Sequence, residues 1–257
     1  MAPRGAEGFS GVEAALGQVR QRIADAGGDP AAVRVVAVTK GFGAEAVRAA
    51  LRAGIADVGE NYAQELLAKV EAVRSAGIGG AENRAGAESG GGAESGGARV
   101  QGGDADLGAR WHFLGAVQRN KVAALAPVVS CWQGVARAVE GEAIARRRPG
   151  AIVLVEVDTT AASGRNGCPP EAVPGLVTEL RAAQLDVRGL MTVAPTDPEG
   201  ARLAFRTVRA LADDLGLSER SMGMSDDLEL AVAEGSTMVR VGRALFGDRP
   251  PRRVTAT

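Results

Sequence analysis

Hydrophobic and polar positions follow two alternating periodicities along the chain. Short continuous apolar runs predict buried strands, whereas segments with apolar residues three or four positions apart predict amphipathic helices. Eight runs are predicted as strands, at 33–39, 55–60, 111–115, 128–133, 151–158, 187–194, a short stretch before 221, and 237–247. A helical pattern follows most of these runs, and one more precedes the first. About eight strand–helix units with an extra helix before the first strand are therefore predicted.

The order of these elements indicates the fold class. Continuous apolar strands that alternate with amphipathic helices favour a parallel sheet covered on both faces. Eight such units within 257 residues are the size of a single α/β domain, a (β/α)8 barrel of the TIM type spanning 1–257. A doubly wound open sheet is the alternative, because the strand pattern does not distinguish a closed sheet from an open one.

Two helices carry recognisable start signals. Ser10 to Glu13 have the form of a capping box ahead of the first helix. Asp197 followed by Pro198 suits the start of a helix over 198–215, since proline is favoured at the first helical position. Both signals support the predicted alternation.

One segment interrupts the pattern. Residues 79–109 read "GGAENRAGAESGGGAESGGARVQGGDADLGA" and contain almost no large apolar side chain. Such a tract buries too little apolar surface to offset the entropy lost on ordering. We expect a disordered Gly/Ala/Glu/Ser-rich surface insertion here rather than a domain boundary, with a ligand-binding tract as the alternative.

Composition narrows the range of partners. The formal net charge of −1 gives no electrostatic reason to expect nucleic acid or an anionic membrane. No segment approaches the roughly 18 apolar residues needed to span a bilayer, and the first 20 residues lack the apolar core of a secretion signal. Cys131 and Cys168 lie far apart and form no metal-ligand spacing. A cytoplasmic protein without a metal site is expected.

Candidate chemistry lies at the predicted strand ends, because barrels bind ligands at the carboxyl ends of their strands. The candidates at these ends are Lys40, 59–61, His112, Met191, 221–225, Arg240 and Gly242. The first and last strands are neighbours in a closed barrel. Lys40 is therefore expected beside 240–243, although 200 positions separate them in the sequence.

Lys40 is the most informative of these residues. The chain has only three lysines among its 30 basic residues, and Lys40 ends an apolar strand. A partly desolvated lysine can lose its proton and attack a carbonyl carbon, which an arginine cannot do. The alternative is a surface lysine that caps a strand. Lys69 is predicted to lie on a solvated helix face.

The remaining candidates each have a structural interpretation beside the functional one. Ser225 suits the N-cap of a helix over 226–234, and free N–H groups there would either bind a phosphate or simply be capped. Arg240 is predicted to point into the barrel, where a buried ion pair would satisfy its charge. His112, between Trp111 and Phe113, is interpreted as a core imidazole, with a role in proton transfer as the alternative.

Several segments together resemble a known family. The segments "AVTKGFG", "VGENYAQELLAKV", "WHFLGAVQRNK", "LMTVAP", "SMGMSDDLELAVAEGSTMVRVG" and "ALFG" occur in this order. In order and spacing they resemble the pyridoxal phosphate homeostasis protein family, over nearly the whole chain except 79–109 and the last few residues. The resemblance implies a single barrel of the alanine racemase N-terminal type that holds pyridoxal 5′-phosphate as a Schiff base.

The resemblance also assigns roles by position. Lys40 would be the Schiff-base lysine and Asn61 a neighbour of the ring. Ser225 and Gly242 would contact the phosphate, and Arg240 would face the pyridine nitrogen. Two further positions depart from the usual family pattern. Ala116 stands where many members have histidine, proline or a polar residue, and Arg243 stands where many have threonine.

The resemblance favours a carrier of the cofactor over an enzyme. Arginine does not normally give up a proton to the pyridine nitrogen, so Arg240 would leave the ring a poorer electron sink. Racemisation needs an acid/base on each face of the substrate carbon, and beyond Lys40 the chain offers only Tyr62 and His112. The expected function is intracellular homeostasis of the cofactor by a monomer that passes it to apo-enzymes. A weak amino-acid racemase and a partner-binding scaffold are the alternatives.

Overall fold

A computed structural model describes residues 9–78, 108–160 and 164–249. Within them, eight parallel strands form a closed barrel in the order β1 to β8. The strands are β1 Arg34–Val38, β2 Asp57–Glu60, β3 Arg110–Phe113, β4 Val129–Val135, β5 Ile152–Glu156, β6 Asp186–Met191, β7 Glu219–Ser221 and β8 Met238–Val241. β8 pairs with β1, with Val36 opposite Arg240, so the open-sheet alternative is excluded.

Helices separate successive strands, and one precedes β1. They are α1 Val12–Asp25, α2 Ala44–Arg52, α3 Ala63–Ile78, α4 Arg119–Leu125, α5 Ala138–Ala145, α6 Val173–Ala182, α7 Pro198–Asp214, α8 Leu228–Ala233 and α9 Arg243–Phe246. A short 3-10 turn, Pro170–Ala172, leads into α6. The predicted (β/α)8 barrel with an extra helix before the first strand is confirmed.

Of the two predicted helix start signals, one is confirmed and the other is wrong. Asp197 caps α7 as predicted, since its side chain accepts a 2.7 Å hydrogen bond from the Gly200 N–H. The capping box predicted at Ser10 is wrong, because α1 begins at Val12 with Gly11 at the N-cap and no side-chain cap. The last strand is also shorter than 237–247, because the chain turns into α9 directly after Gly242.

Apolar side chains fill the space between the barrel and its helices, whereas much of the barrel interior is polar. Trp111, Trp132 and Val239 face the helices, since they belong to the apolar clusters there. Side chains alternate across a strand, so their neighbours His112, Gln133 and Arg240 point into the barrel. The apolar cluster that belongs to the interior contains Cys131, Ile152, Leu154 and Met191. This polar interior leads up to the carboxyl ends of the strands.

Most of the predicted insertion, residues 79–107, lies outside the described residues. Ala109, which was included in the insertion, is buried and packs in the main apolar cluster. The barrel therefore resumes slightly earlier than predicted, ahead of β3. Among the described residues, no helix combines the length and apolar character needed to cross a membrane.

Candidate functional site

A cavity of about 550 Å³ opens at the carboxyl ends of the strands. Its lining includes all five residues that were predicted as site residues: Lys40, Asn61, Ser225, Arg240 and Gly242. Barrel closure brings them together from β8 and from the loops after β1, β2, β7 and β8. Such a mouth is where ligands bind in this fold.

Lys40 lies two residues after the end of β1 and is partly buried at this mouth. Burial lowers the pKa of the Lys40 ammonium, and the positive charges of Arg249 and Arg240 lower it further. The carboxylates of Glu60 and Glu65 act in the opposite direction. A lowered pKa leaves more of the amine uncharged near neutral pH, which is the form that attacks a carbonyl carbon.

A buried polar cluster supports the end of β1 beneath Lys40. Lys69 donates to Glu60 Oε1 at 2.5 Å and to the carbonyl of Thr39 at 2.7 Å. Thr39 Oγ1 donates to the same Glu60 oxygen at 2.5 Å. The cluster therefore fixes the residue immediately before Lys40.

Lys69 corrects a prediction. It was predicted to be solvated, yet only 5 % of its surface is exposed. The signal was present in the sequence, because Lys69 lies three residues after Leu66 and four before Val73, both of which are buried. A helical position flanked in this way faces the core, whatever the residue type.

Arg240 is 5 % exposed and points into the top of the barrel interior. Its Nη1 donates to the Ser221 carbonyl at 2.6 Å and to Ser221 Oγ at 2.8 Å, and its Nη2 donates to the Thr192 carbonyl at 2.8 Å. Burial lowers the pKa of Arg240 to about 10, although Glu156 and Asp227 raise it. The group therefore stays charged at neutral pH. Neutral oxygens satisfy it, and among the described residues no carboxylate lies within ion-pair distance of it.

Ser225 does not have its predicted capping role. α8 begins at Leu228 with Asp227 at its N-cap, and the Asp227 side chain accepts from the Met224 N–H at 2.6 Å. The Ser225 hydroxyl instead accepts a 3.2 Å hydrogen bond from the Ala244 N–H of α9. Ser225 therefore joins the loop after β7 to the start of α9 at the cavity.

Gly242 and Asn61 are the two remaining predicted site residues at the mouth. A Cβ on Gly242 would lie 3.1 Å from the Val38 carbonyl oxygen, so a larger residue would require the backbone there to shift by a few tenths of an ångström. The Asn61 Oδ1 atom is buried and, within the described residues, has no hydrogen-bond donor. A buried acceptor without a donor costs free energy. A donor on a bound ligand would satisfy it.

His112 is a core imidazole, as the sequence predicted. It is 2 % exposed, and both of its ring nitrogens have partners, Asp57 Oδ1 at 2.8 Å and Gln133 Nε2 at 2.7 Å. It does not belong to the cavity lining. The sequence pattern predicts the buried position of His112 but not its hydrogen-bond partners, Asp57 and Gln133.

Comparison with known proteins decides the family. Residues 16–250 match the family described as alanine racemase, N-terminal domain. The chain is 36 % identical to the pyridoxal phosphate homeostasis protein of Pseudomonas aeruginosa, over 90 % of this chain and 91 % of that one. It is 37 % identical to the protein of the same name from Deinococcus radiodurans, over 91 % and 99 % of the two chains. The chain belongs to the pyridoxal phosphate homeostasis protein family.

Solved structures agree with this family. PipY of Synechococcus elongatus, solved with PLP bound, is 28 % identical with a TM-score of 0.67, over 90 % of this chain and all of that one. An uncharacterised protein from Bifidobacterium adolescentis is 29 % identical with a TM-score of 0.76, over 96 % and 98 %. The alanine racemase of Corynebacterium glutamicum shares the fold at 17 % identity, with a TM-score of 0.63 over 96 % and 63 %.

Proposed function

We propose that this chain binds pyridoxal 5′-phosphate at the barrel mouth and acts in its intracellular homeostasis by holding it and passing it to apo-enzymes. The observation that carries the proposal is a lysine with a lowered pKa that shares one cavity with a buried, charged arginine. Relatives of the same family are named for this cofactor, and one structural neighbour was solved with it.

The residues at the mouth fit each part of this ligand. Lys40 offers the amine that forms a Schiff base with an aldehyde. Arg240 has five N–H donors, three of which are used within the protein, so two remain for a ring nitrogen. The Asn61 acceptor without a donor lies at the same cavity. Ser225 and Gly242 lie where the phosphate would be held, in the loops after β7 and β8.

The electrostatics of Arg240 favour storage over catalysis. Pyridoxal phosphate supplies an electron-withdrawing ring, which is effective when its nitrogen is protonated. The pKa of Arg240, although lowered by burial to about 10, keeps the guanidinium protonated at neutral pH. Arg240 therefore donates a hydrogen bond without transferring a proton, and the ring remains a weak electron sink.

Neither Tyr62 nor His112, the two residues considered for a second acid/base, lines the mouth. His112 is bonded at both nitrogens inside the barrel. Tyr62 is 50 % exposed and does not line the cavity. A racemase needs a group on each face of the substrate carbon, so this arrangement favours a carrier.

We further propose that the protein is cytoplasmic and that a monomer is sufficient to hold the cofactor. All the proposed contacts come from a single chain, and both Cys131 and Cys168 are free buried thiols. Ala116, one of the two positions that depart from the family pattern, is exposed and does not line the cavity. Size-exclusion chromatography of the loaded protein tests the monomer.

Transfer to an acceptor tests the proposed function. The loaded protein is mixed with an aminotransferase stripped of its cofactor, and recovery of aminotransferase activity is followed over time. A carrier restores that activity, while D/L interconversion of alanine by the loaded protein stays at the rate of free cofactor. Interconversion well above the free cofactor would favour the racemase instead, and failure to restore the apo-enzyme would contradict the carrier.

The charge of Arg249 is expected to set the pH range in which Lys40 reacts. Arg249→Ala removes a positive charge that lowers the pKa of Lys40. The pKa therefore rises, and the midpoint of the attachment rate against pH moves upward. Stopped-flow absorbance measures the attachment rate across a pH series. Arg147→Ala, which removes an exposed arginine shortly after α5, is the matched control and leaves the midpoint unchanged. A downward or absent shift in Arg249→Ala contradicts this assignment.

Arg243 is expected to protect the phosphate site from a nearby carboxylate. Its Nη2 pairs with Asp226 Oδ1, and both residues line the cavity. In Arg243→Ala the carboxylate is unpaired, so binding of pyridoxal 5′-phosphate weakens by about three- to tenfold. Pyridoxal without the phosphate binds as before. Adding Asp226→Asn restores affinity, and equal losses for both ligands in an absorbance titration would contradict this role.

A further inference from the structure

A row of buried polar side chains runs through the barrel interior below the mouth. Its members come from five different strands and are each at most 5 % exposed: Asp57 on β2, His112 on β3, Gln133 on β4, Ser221 on β7 and Arg240 on β8. Buried polar groups cost free energy unless they are hydrogen-bonded. We call this row the interior chain.

Four short hydrogen bonds connect its members end to end. Arg240 Nη1 lies 2.8 Å from Ser221 Oγ, and Ser221 Oγ lies 2.7 Å from Gln133 Oε1. The Gln133 Nε2 atom is 2.7 Å from His112 Nδ1, and His112 Nε2 is 2.8 Å from Asp57 Oδ1. The side chains therefore form one continuous path across the barrel.

The chemistry of the groups gives this path a direction. A guanidinium only donates, so the Ser221 hydroxyl accepts from Arg240 and gives its own hydrogen to Gln133 Oε1. Gln133 then presents its amide N–H to His112, and Nδ1 must accept it. The ring hydrogen therefore lies on Nε2 and points at the Asp57 carboxylate, where the path ends.

The far end of the interior chain reaches the opposite side of the barrel. Arg110 donates to Asp57 through Nε at 2.9 Å and through Nη2 at 2.5 Å. Burial alone would raise the pKa of Asp57, but the hydrogen bonds from His112 and Arg110 outweigh it and lower the pKa. Asp57 is therefore a fixed negative charge. The Arg110 side chain is 53 % exposed and lines a cavity of about 560 Å³ at the amino ends of the strands.

We infer that Ser221, Gln133 and His112 are positioning residues that hold Arg240 as a hydrogen-bond donor toward the ring of the bound ligand. The same path transmits ligand binding at the mouth to His112. Hydrogen bonds in a row polarise one another, because a group that accepts one hydrogen bond becomes a stronger donor in the next. A ring acceptor that draws on Arg240 therefore changes the bond that Ser221 receives. The inference rests on the proposed function, because it takes pyridoxal 5′-phosphate as the ligand.

His112 provides the readout. It is the only histidine of the chain, so one pair of ring ¹⁵N resonances reports on it without ambiguity. Without ligand, those resonances should show the Nε2–H tautomer. Titration with pyridoxal 5′-phosphate should then shift them in proportion to the absorbance of the Schiff base, although His112 does not line the mouth.

Two serine substitutions distinguish a positioning role of Ser221 from a packing role. Ser221→Ala removes the hydroxyl that links Arg240 to Gln133, and the ligand-induced shift of His112 should be lost while the Schiff base still forms. Ser236→Ala is the matched control, since Ser236 is also a buried serine near β7 and β8 but donates only to backbone carbonyls, such as that of Met222 at 2.8 Å. It should leave the shift intact.

The outcomes distinguish this inference from the proposed function. An Nδ1–H tautomer, a bound ligand without a shift in the unmodified protein, or a full shift in Ser221→Ala would each overturn the interior chain. Absence of the Schiff base in the unmodified protein would count against the proposed function. In that case, or if Ser221→Ala does not fold, the tautomer of the ligand-free protein still confirms or overturns the direction of the path.

Discussion

Replacing Lys40 by alanine is expected to abolish the covalent attachment of pyridoxal 5′-phosphate, to background level, while the barrel stays folded. Lys40 is the lysine at the mouth, where burial and then Arg249 and Arg240 lower its pKa. Since only an amine forms a Schiff base, the shortened side chain leaves the aldehyde unattached. Absorbance spectroscopy measures the Schiff-base band, and circular dichroism measures the fold.

The matched control uses another lysine. Lys121 lies in α4, outside the cavity lining, so Lys121→Ala should keep the full band. If Lys40→Ala kept the band and Lys121→Ala lost it, the reactive amine would have been assigned to the wrong lysine. Loss of the fold in Lys40→Ala would show that Lys40 is structural, which its partly exposed position argues against.

Replacing Lys69 by methionine is expected to produce the largest loss of stability. Lys69 and Glu60 form a buried pair at 2.5 Å, and their side chains are 6 % and 0 % exposed. Methionine keeps the length of the side chain but leaves the Glu60 carboxylate buried without its cation. Breaking one side of such a pair costs about 3–5 kcal/mol, and a domain of this size would lose about 10 °C in Tm. Urea denaturation and thermal melts measure both.

The loss should depend on pH in a defined direction. Burial raises the pKa of Glu60, whereas Lys69 lowers it, so removing Lys69 raises the pKa further. A carboxyl whose pKa is raised by folding contributes stability below its unfolded pKa and loses it as pH rises through the folded pKa. The deficit of Lys69→Met should therefore be largest at mildly alkaline pH and shrink toward acidic pH.

A second substitution tests the cause of that deficit. Lys69→Met combined with Glu60→Gln removes the unpaired charge and should recover most of the stability at neutral pH. Lys121→Met controls for the change of lysine to methionine outside this pair. A deficit that is independent of pH, or a double variant as unstable as Lys69→Met, would show that lost packing rather than charge is responsible.

The barrel and the neighbourhood of Lys40 could be predicted because they depend on local patterns and one closure rule. Apolar runs set the strands, and once the strands close, the residue after β1 must lie near β8. The observed pairing of Val36 with Arg240 satisfies that requirement. Asp197 could likewise be predicted as a helix cap, because an N-cap side chain reaches an N–H only three residues away.

Other features depend on contacts that no single segment encodes. The bond between Gln133 and Ser221 joins residues 88 positions apart, so it depends on the register of several strands. Ser225 was assigned to the wrong helix end for a related reason. Its hydroxyl accepts from Ala244, 19 positions later, while Asp227 turns back to the Met224 N–H and α8 starts later than expected. Tertiary contacts decided both cases.

Reduction of the loaded protein with borohydride, followed by peptide mass mapping, tests the central assignment most directly. Borohydride converts a Schiff base into a stable secondary amine, so the modified lysine keeps the mass of the reduced ligand. The account predicts one modified peptide, the one that contains Lys40. Modification at Lys69 or Lys121 instead, or a complete absence of modified peptide, would contradict it.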